Sequence, residues 1–310
     1  MSTSATTSLC AVRFEVAGAA CHGVLHLPAR PGGVGVVIVV GGPQYRIGSH
    51  RYFVLLARKL CAKGYPVLRF DYRGMGDSDG EPVGFEGCGP DIRAAVDCLA
   101  HEQPQLRGVV LWGLCDGASA AMMYAATDDR VCGIIALNPW ARSDDSLART
   151  HLRHYYIRRL FEREFWLTTM RDRARIAAAL RGLVNALGRV VGSKEPPSSS
   201  SGAPIGPAVT DFRERMRLGI ETFRRPVLFL ISGSDITGAE FRDLMDSQRR
   251  WSQAVRRCPC TMEVIPNADH TLSGAAHQEV ADAATIRWLA QFDPGVVTAM
   301  NGANLTPNRA

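Results

Sequence analysis

At positions 113 to 117 the chain reads Gly113-Leu114-Cys115-Asp116-Gly117. This segment follows an apolar stretch that ends at Trp112 and precedes a run of small residues that begins at Ala118. Its G-x-nucleophile-x-G form is typical of a nucleophile elbow, a sharp turn between a strand and a helix, with cysteine in place of the usual serine. Glycine is required on both sides because the turn leaves no room for a Cβ atom. The segment predicts a nucleophile, Cys115, at a helix N-terminus, where the helix dipole favours a thiolate.

Outward from this segment, short apolar stretches alternate with helical ones, as in a parallel sheet with crossover helices. The continuously apolar run at 34–40 suits a strand that is buried on both faces. The predicted strands are 13–17, 23–27, 34–40, 66–70, 109–112, 131–137, 226–231 and 261–265, of which the first two form an antiparallel pair. The predicted helices are 51–62, 91–101, 118–126, 211–221, 240–255 and 277–291. We therefore predict an α/β fold with a mostly parallel sheet and helices on both faces.

A long segment without strand candidates interrupts this alternation after Pro139. Two stretches, 146–170 and 172–191, indicate helices rich in arginine and aromatic residues, and a Pro/Ser-rich linker follows them at 194–202. We interpret the segment as a helical cap. The predicted division of the chain is a first core part at 1–138, the cap with its linker at 139–222, a second core part at 223–293 and a flexible tail at 294–310.

Composition and length exclude several classes of protein. With 46% hydrophobic and 21% charged residues in 310, the chain is expected to fold around a core of its own. The first ten residues lack a positive charge ahead of an apolar core, so we expect no secretory signal and a cytoplasmic location. The nine cysteines lack paired spacing, and Cys258-Pro-Cys260 has no second Cys/His pair at the spacing of a zinc site. We expect no disulfide, no metal and no other cofactor.

An acid and a base follow Cys115 in the order that the elbow chemistry requires. Asp235 comes directly after the predicted strand 226–231, and His270 follows the next predicted strand. Because the carboxyl ends of parallel strands meet at one edge of a sheet, both side chains are expected near Cys115. Asp243 and Asp246 are weaker candidates because they belong to a predicted helix. Asp269 adjoins the histidine but is expected to point elsewhere.

Acyl chemistry also needs hydrogen-bond donors for a negatively charged oxygen, the oxyanion. The backbone N–H of Asp116 is one expected donor. The second is expected from the loop after Val40, where Pro43 has no N–H to offer. The candidates are therefore Gly42 and Gln44, the latter through its backbone or its side-chain amide.

With an elbow, an acid and a histidine in place, the chain resembles the α/β-hydrolase superfamily over nearly its full length. More narrowly, it is similar to the group called exosortase A system-associated hydrolase 1. This resemblance implies a bacterial cytoplasmic protein linked to exopolysaccharide production and to exosortase-dependent protein sorting. It also implies a structural role for the loop at 71–78. The segments that carry it are Gly41-Gly42-Pro43-Gln44-Tyr45-Arg46, Phe70-Asp71-Tyr72-Arg73-Gly74-Met75-Gly76-Asp77-Ser78 and Trp112-Gly113-Leu114-Cys115-Asp116-Gly117-Ala118-Ser119.

The chemistry of a Cys–His pair leaves several functions open. Such a pair forms a thioester acyl-enzyme, which passes its acyl group to water or to another acceptor. Ester hydrolysis, thioester hydrolysis and acyl transfer to a sugar or lipid hydroxyl all fit, and a non-catalytic scaffold is the alternative from a different class. The intact order of Cys115, Asp235 and His270 favours an enzyme.

The expected partner is a small-molecule or lipid-like acyl substrate. Between positions 142 and 189 the cap carries 11 arginines against 5 acids, and its stretch 151–166 is both basic and aromatic. This pattern indicates a lipophilic or anionic acyl donor and peripheral contact with an anionic membrane. Nucleic acid is not expected as a partner, because the basic residues concentrate on the cap and no binding motif accompanies them.

Overall fold

The computed structural model describes residues 7–42, 45–142 and 211–293. Contacts divide the chain into one unit made of Met1–Ala141 with Asp211–Ala310 and a second unit, Arg142–Thr210. The description below concerns the first unit. The predicted cap helices at 146–170 and 172–191, the linker at 194–202, the tail at 294–310 and Gln44 lie outside the described residues.

Eight strands of the described ranges form one sheet, in the order β1-β2-β4-β3-β5-β6-β7-β8. The first strand pairs antiparallel with β2, which pairs antiparallel with β4, and all further pairs are parallel. The central strands β3 and β5 are buried at every position, as the unbroken apolar sequence at 34–40 predicted for β3. The strands are Ser8–Val16 (β1), Ala19–Leu27 (β2), Val34–Val39 (β3), Val67–Phe70 (β4), Gly108–Leu114 (β5), Val131–Leu137 (β6), Val227–Ser232 (β7) and Cys260–Ile265 (β8).

Helices connect the parallel strands and pack in two groups, with α1 against α8 and with α4 against α3 and α5. The predicted α/β fold class is confirmed. The sequence pattern missed the short helix α2 and two 3-10 turns, Ser49–Arg51 and Ala125–Thr127. No helix among the described residues is both long and apolar enough to cross a bilayer. The helices are Tyr52–Ala62 (α1), Gly84–Gly87 (α2), Gly89–Glu102 (α3), Asp116–Tyr124 (α4), Phe212–Phe223 (α5), Ile236–Ser247 (α6), Arg249–Arg257 (α7) and Ala275–Leu289 (α8).

The single helix predicted for 240–255 is wrong, because the structure has two helices there. The helix breaks at Gln248, whose extended backbone (φ −104, ψ 114) separates α6 from α7. The break allows the ring of Trp251 to lie 5.7 Å from the ring of Phe241. In a straight helix these residues would be about 15 Å apart along the axis. Burial of Trp251, which is 1% exposed, accounts for the break.

Aromatic packing supports the strand that leads into the elbow. Trp112, near the end of β5, is fully buried, and its ring lies 5.8 Å from that of Tyr52 and 5.7 Å from that of Phe53. Its indole N–H donates to the hydroxyl of Thr285 on α8 at 3.4 Å. Because α1 and α8 both contact this one side chain, the end of β5 is fixed just before the turn.

Two ion pairs hold the loops around β4. The fully buried carboxylate of Asp71 accepts the backbone N–H of Arg46 at 2.6 Å and also pairs with its guanidinium. The guanidinium of Arg73 donates to both carboxylate oxygens of Asp91 on α3, through Nε at 3.0 Å and Nη2 at 2.8 Å. These contacts give Asp71 and Arg73 the structural role that the sequence predicted for them.

The packing of α4 on β3 predicts a strong effect of Gly117→Ala. A Cβ atom at Gly117 would lie 2.5 Å from the carbonyl oxygen of Val39 and 2.7 Å from that of Val40, and backbone atoms cannot give way cheaply. We expect a loss of about 1–3 kcal/mol in the free energy of unfolding, measured in urea. The matched control is Gly89→Ala, whose Cβ would meet only Cδ2 of Tyr124 at 3.9 Å. It should change stability by less than about 0.5 kcal/mol, and equal losses in the two variants would contradict this view of the packing.

Candidate active site

Cys115 lies at the tip of the turn between β5 and α4, in a backbone conformation that non-glycine residues rarely adopt (φ 59, ψ −126). Such a conformation costs on the order of 1–3 kcal/mol and persists only where its surroundings enforce it. Here the backbone N–H of Cys115 donates to the carbonyl of Leu137 at 2.9 Å, and its own carbonyl accepts from the N–H of Trp140 at 3.2 Å. A Cβ atom at Gly113 would lie 2.6 Å from the backbone N of Ala118. The turn therefore has the tight geometry that its glycines predicted.

Asp235 follows β7 and is the N-cap residue of α6. Its carboxylate accepts the backbone N–H groups of Thr237 at 3.2 Å and of Gly238 at 3.0 Å. One of these oxygens, Oδ2, also accepts a hydrogen bond from Nδ1 of His270 at 2.9 Å. The capping bonds hold the buried carboxylate in place, so Asp235 fixes the orientation of the imidazole ring.

His270 follows β8 and lies between Asp235 and Cys115. With Nδ1 bound to Asp235, the ring also interacts with the side chain of Cys115. The bond to Asp235 first, and the bond to Cys115 second, raise the pKa of His270 to about 10, while burial opposes the shift. The imidazole is therefore a protonated cation at neutral pH, beside the thiol. The structure thus brings together the three side chains that the sequence singled out as nucleophile, acid and base.

Asn138 is a site residue that the sequence reasoning missed. It is fully buried at the end of β6, with φ 45, and its Nδ2 donates to Oγ of Ser232 at 2.9 Å and to the carbonyl of His270 at 3.1 Å. Its Oδ1 accepts the backbone N–H of Ser232 at 2.8 Å. Asn138 therefore joins the ends of β6 and β7 to the histidine loop. The available signal was an asparagine directly after an apolar strand, because asparagine tolerates positive φ better than most residues.

The expected oxyanion donors face the carboxylate of Asp116. The backbone N–H of Gly42 donates to Oδ1 of Asp116, and the N–H groups of Gly117 and of Asp116 itself also interact with this carboxylate. Burial raises the pKa of Asp116, while these three N–H groups and the nearby His270 lower it. A Cβ atom at Gly41 would overlap the same carboxylate. The structure thus places Asp116 and Gly42 together, whereas the other candidate donor, Gln44, is not among the described residues.

No group of three His, Cys, Asp or Glu side chains that could hold a metal ion occurs within 7–42, 45–142 and 211–293. All nine cysteines are free thiols. The thiol of Cys258, the residue directly after α7, donates to the carbonyl of Arg225 at 3.1 Å, and Cys260 is the first residue of β8. His270 follows the other end of that strand. The Cys-Pro-Cys segment therefore belongs to the opposite edge of the sheet from the candidate site.

A sequence profile described as the alpha/beta hydrolase family matches residues 36–283. The chain belongs to this family. The matched range is most of the chain and includes Cys115, Asp235 and His270. We refer to this member of the alpha/beta hydrolase family below as the hydrolase.

Two curated relatives resemble parts of this hydrolase. The quorum-quenching protein AidA of Acinetobacter baumannii is 27% identical over 135 residues, which cover 42% of this chain and 43% of that protein. The polyketide transferase grgF of a Penicillium species is 29% identical over 105 residues, which cover 33% of this chain and 36% of that protein. The hydrolase therefore spans less than half the length of these curated relatives.

Solved structures share the fold along most of the chain. The esterase Pf2001 of Pyrococcus furiosus superposes with a TM-score of 0.61 at 16% sequence identity, covering 92% of this chain and 91% of that one. At this level of identity the similarity shows the fold alone. The proteins of similar fold thus include esterases.

The histidine environment predicts an unusually high titration midpoint. In an NMR titration of the side-chain nitrogens, His270 should change protonation near pH 10, because the bonds to Asp235 and Cys115 stabilise its cation. Asp235→Asn should lower this midpoint most, since the bond to Asp235 is the largest cause, and Cys115→Ala should lower it less. Asparagine is also a good N-cap, so α6 should survive the change. A midpoint near 6.5 in the unmodified protein would contradict this assignment.

The same shift predicts how stability depends on pH. A folded-state pKa above the unfolded value adds stability that is complete below about pH 6.5 and is lost as the pH rises to about 10. The free energy of unfolding should therefore fall across this window more steeply in the unmodified hydrolase than in Asp235→Asn. Parallel curves for the two proteins would show that Asp235 does not stabilise the imidazolium.

Proposed function

We propose that this hydrolase cleaves a carboxylic ester or thioester through a covalent acyl-enzyme on Cys115. The observation that carries the proposal is the arrangement of three side chains: Nδ1 of His270 is hydrogen-bonded to Asp235, and the same ring interacts with Cys115. The members follow β7, β8 and β5, whose carboxyl ends meet at the edge of the sheet where α/β sites assemble. Strain at Cys115 and a strongly shifted pKa at His270 coincide at this place, as they do in functional sites.

In the first half of the proposed reaction, the Cys115 thiolate attacks the carbonyl carbon of the substrate and the C=O electron pair moves to oxygen. When the tetrahedral intermediate collapses, the bond to the alcohol or thiol leaving group breaks. The leaving group takes the proton from His270, and a thioester on Cys115 remains. The neutral imidazole is now a base, and general acid–base transfer of this kind contributes about 10²–10⁴-fold to a rate.

In the second half, water attacks the thioester while His270 takes its proton. Collapse of the second intermediate breaks the C–S bond, so that the thiolate and a carboxylic acid are released. Asp235 keeps its charge throughout and stabilises the imidazolium in both halves, held by its capping bonds to Thr237 and Gly238. The cycle consumes one water and one ester or thioester.

A second outcome of the acyl-enzyme is transfer to a hydroxyl of a sugar or lipid. The partial similarity to a protein named as a polyketide transferase, 29% identical over 105 residues, favours keeping this outcome beside hydrolysis. Both share the first half of the reaction. The contacts among Asp235, His270 and Cys115 argue against a non-catalytic scaffold, because binding alone does not need an imidazolium held beside a thiol.

We further propose that the hydrolase serves exopolysaccharide production and an exosortase system in the cytoplasm of a bacterium. The support is the similarity of the segments 41–46, 70–78 and 112–119 to exosortase A system-associated hydrolase 1. The substrate is expected to be a small or lipid-like ester. Peripheral membrane contact through the basic cap stays a prediction from the sequence, because the cap lies outside the described residues.

Intact-mass spectrometry after exposure to acyl thioesters and activated esters tests the acyl-enzyme. The unmodified hydrolase should gain one acyl group, and Cys115→Ala should gain none. Cys10, which is exposed on the edge strand β1, is the control for non-specific acylation, so Cys10→Ala should still gain the group. Product analysis with and without added glycerol or sugar then separates hydrolysis from transfer. An adduct that persists in Cys115→Ala, or turnover with no adduct at all, would sink the proposal.

A genetic experiment tests the cellular role. Deletion of the gene in its host should change the yield or the acylation of the exopolysaccharide, and the unmodified gene should restore it. Cys115→Ala should not restore it, provided that the variant protein accumulates to the same level. An unchanged polymer after deletion would reject the exopolysaccharide link and leave the chemistry of the site standing.

A further inference from the structure

The side chain of Asp116 lies where a reaction intermediate is expected to place its negative charge. The two backbone N–H groups predicted to bind the oxyanion, those of Gly42 and Asp116, both interact with the carboxylate of Asp116 itself. A third N–H, that of Gly117, does the same at the start of α4. These groups form a cradle for an anion at a helix N-terminus, and the protein's own carboxylate fills it.

We propose that the Asp116 carboxylate occupies the oxyanion position in the resting hydrolase and must leave it before Cys115 is acylated. This inference rests on the proposed acyl-enzyme mechanism. Asp116 is then a gate for the first chemical step. Substrates that cannot displace it bind without reacting.

Competition for hydrogen-bond donors is the first reason why the carboxylate must leave. The N–H of Gly42 already makes a hydrogen bond to Oδ1 of Asp116, and an N–H group that must serve two acceptors serves each less well. Stabilisation of an oxyanion depends on donors aimed at the developing charge, and removal of one such donor typically lowers a rate by about 10²–10³-fold. While the Asp116 carboxylate occupies the cradle, the N–H groups therefore cannot stabilise the oxyanion.

Repulsion between two negative charges is the second reason why the carboxylate must leave. A carboxylate and an oxyanion in one cradle repel each other, and the repulsion is strong because the site is partly shielded from water. The imidazolium of His270 attracts the carboxylate. The same imidazolium is needed to protonate the leaving group, so an ionised Asp116 opposes the reaction from two sides.

The surroundings of Asp116 make displacement costly. Two buried groups, the hydroxyl of Tyr72 and the thiol of Cys88, interact electrostatically with Asp116. The hydroxyl donates to the carbonyl of Val40, and the thiol donates to the carbonyl of Phe85 at 3.2 Å. Both donors are thus already engaged. A displaced carboxylate therefore has to turn toward solvent or toward the substrate, and we expect a simple ester to displace it slowly.

The test compares acylation with alkylation of the same thiol in the full-length hydrolase. Acetylation of Cys115 by p-nitrophenyl acetate passes through an oxyanion, whereas alkylation by iodoacetamide builds no charge on a carbonyl oxygen and does not use the cradle. In Asp116→Ala, acetylation should accelerate about ten-fold or more, relative to an alkylation rate that changes less than about three-fold. Peptide mass spectrometry assigns both products to Cys115.

Asp116→Asn is the second variant, because it keeps the shape and the acceptor for Gly42 but removes the charge. Its acetylation should be faster than that of the unmodified protein and slower than that of Asp116→Ala. Thermal unfolding of each variant shows that the elbow has kept its fold. Acetylation that is unchanged or slower in both folded variants would overturn the gate, and slower acetylation would make the carboxyl group a helper of the reaction. If no protein in the series is acetylated while all are alkylated, the acyl-enzyme proposal itself fails.

Discussion

The strained turn at Cys115 is the constraint on which the rest of the site depends. Its positive φ is held from both sides, by the hydrogen bond of its N–H to Leu137 on β6 and by that of its carbonyl to Trp140 beyond β6. The turn therefore exists only when β5 and β6 are paired and the chain after β6 passes over the elbow. Aromatic packing around Trp112 fixes the strand that enters the turn. The most deeply buried part of the sheet thus holds Cys115 in its strained backbone conformation.

The same sheet edge holds Asp235 and His270, the candidate acid and base, in fixed positions. Asp235 caps α6 and orients His270 with one carboxylate, while Asn138 holds the carbonyl of that histidine and the end of β7. Asp235 and Asn138 each make three hydrogen bonds, so neither the carboxylate of Asp235 nor the ring of His270 is free to turn. The high pKa of His270 follows from this arrangement, because its cation is stabilised on both sides of the ring.

Asp116 affects both the stability of the resting site and its proposed chemistry. It is the first residue of the helix whose N-terminus is suited to an anion, and it places an anion there itself. The carboxylate ties the loop after β3 to the elbow, which stabilises the resting site. It also places a negative charge beside the nucleophile. The contacts that stabilise the resting site through Asp116 are therefore the ones that we propose to hinder acylation of Cys115.

Periodicity and local motifs predicted most of the fold. All eight strands were found, because apolar runs and turn residues are local signals of burial and of chain reversal. Cys115, Asp235 and His270 were found for a related reason: each follows a recognisable strand, and the carboxyl ends of parallel strands share one edge. The helix break at Gln248 was missed because the contact between Phe241 and Trp251 causes it. The spacing of apolar residues along the sequence does not reveal that contact.

The sequence by itself therefore determined the α/β class, the tight turn at Cys115 and the order of the three candidate catalytic residues along the chain. Only the tertiary structure decided which polar groups contact one another. Gly42 and Asp116 are 74 positions apart, and Asn138 is 132 positions from the histidine carbonyl that it binds. Such contacts depend on the order of strands in the sheet and on the paths of the loops between them. Local propensities carry no information about either, so the filled anion cradle and the role of Asn138 appear only in the folded chain.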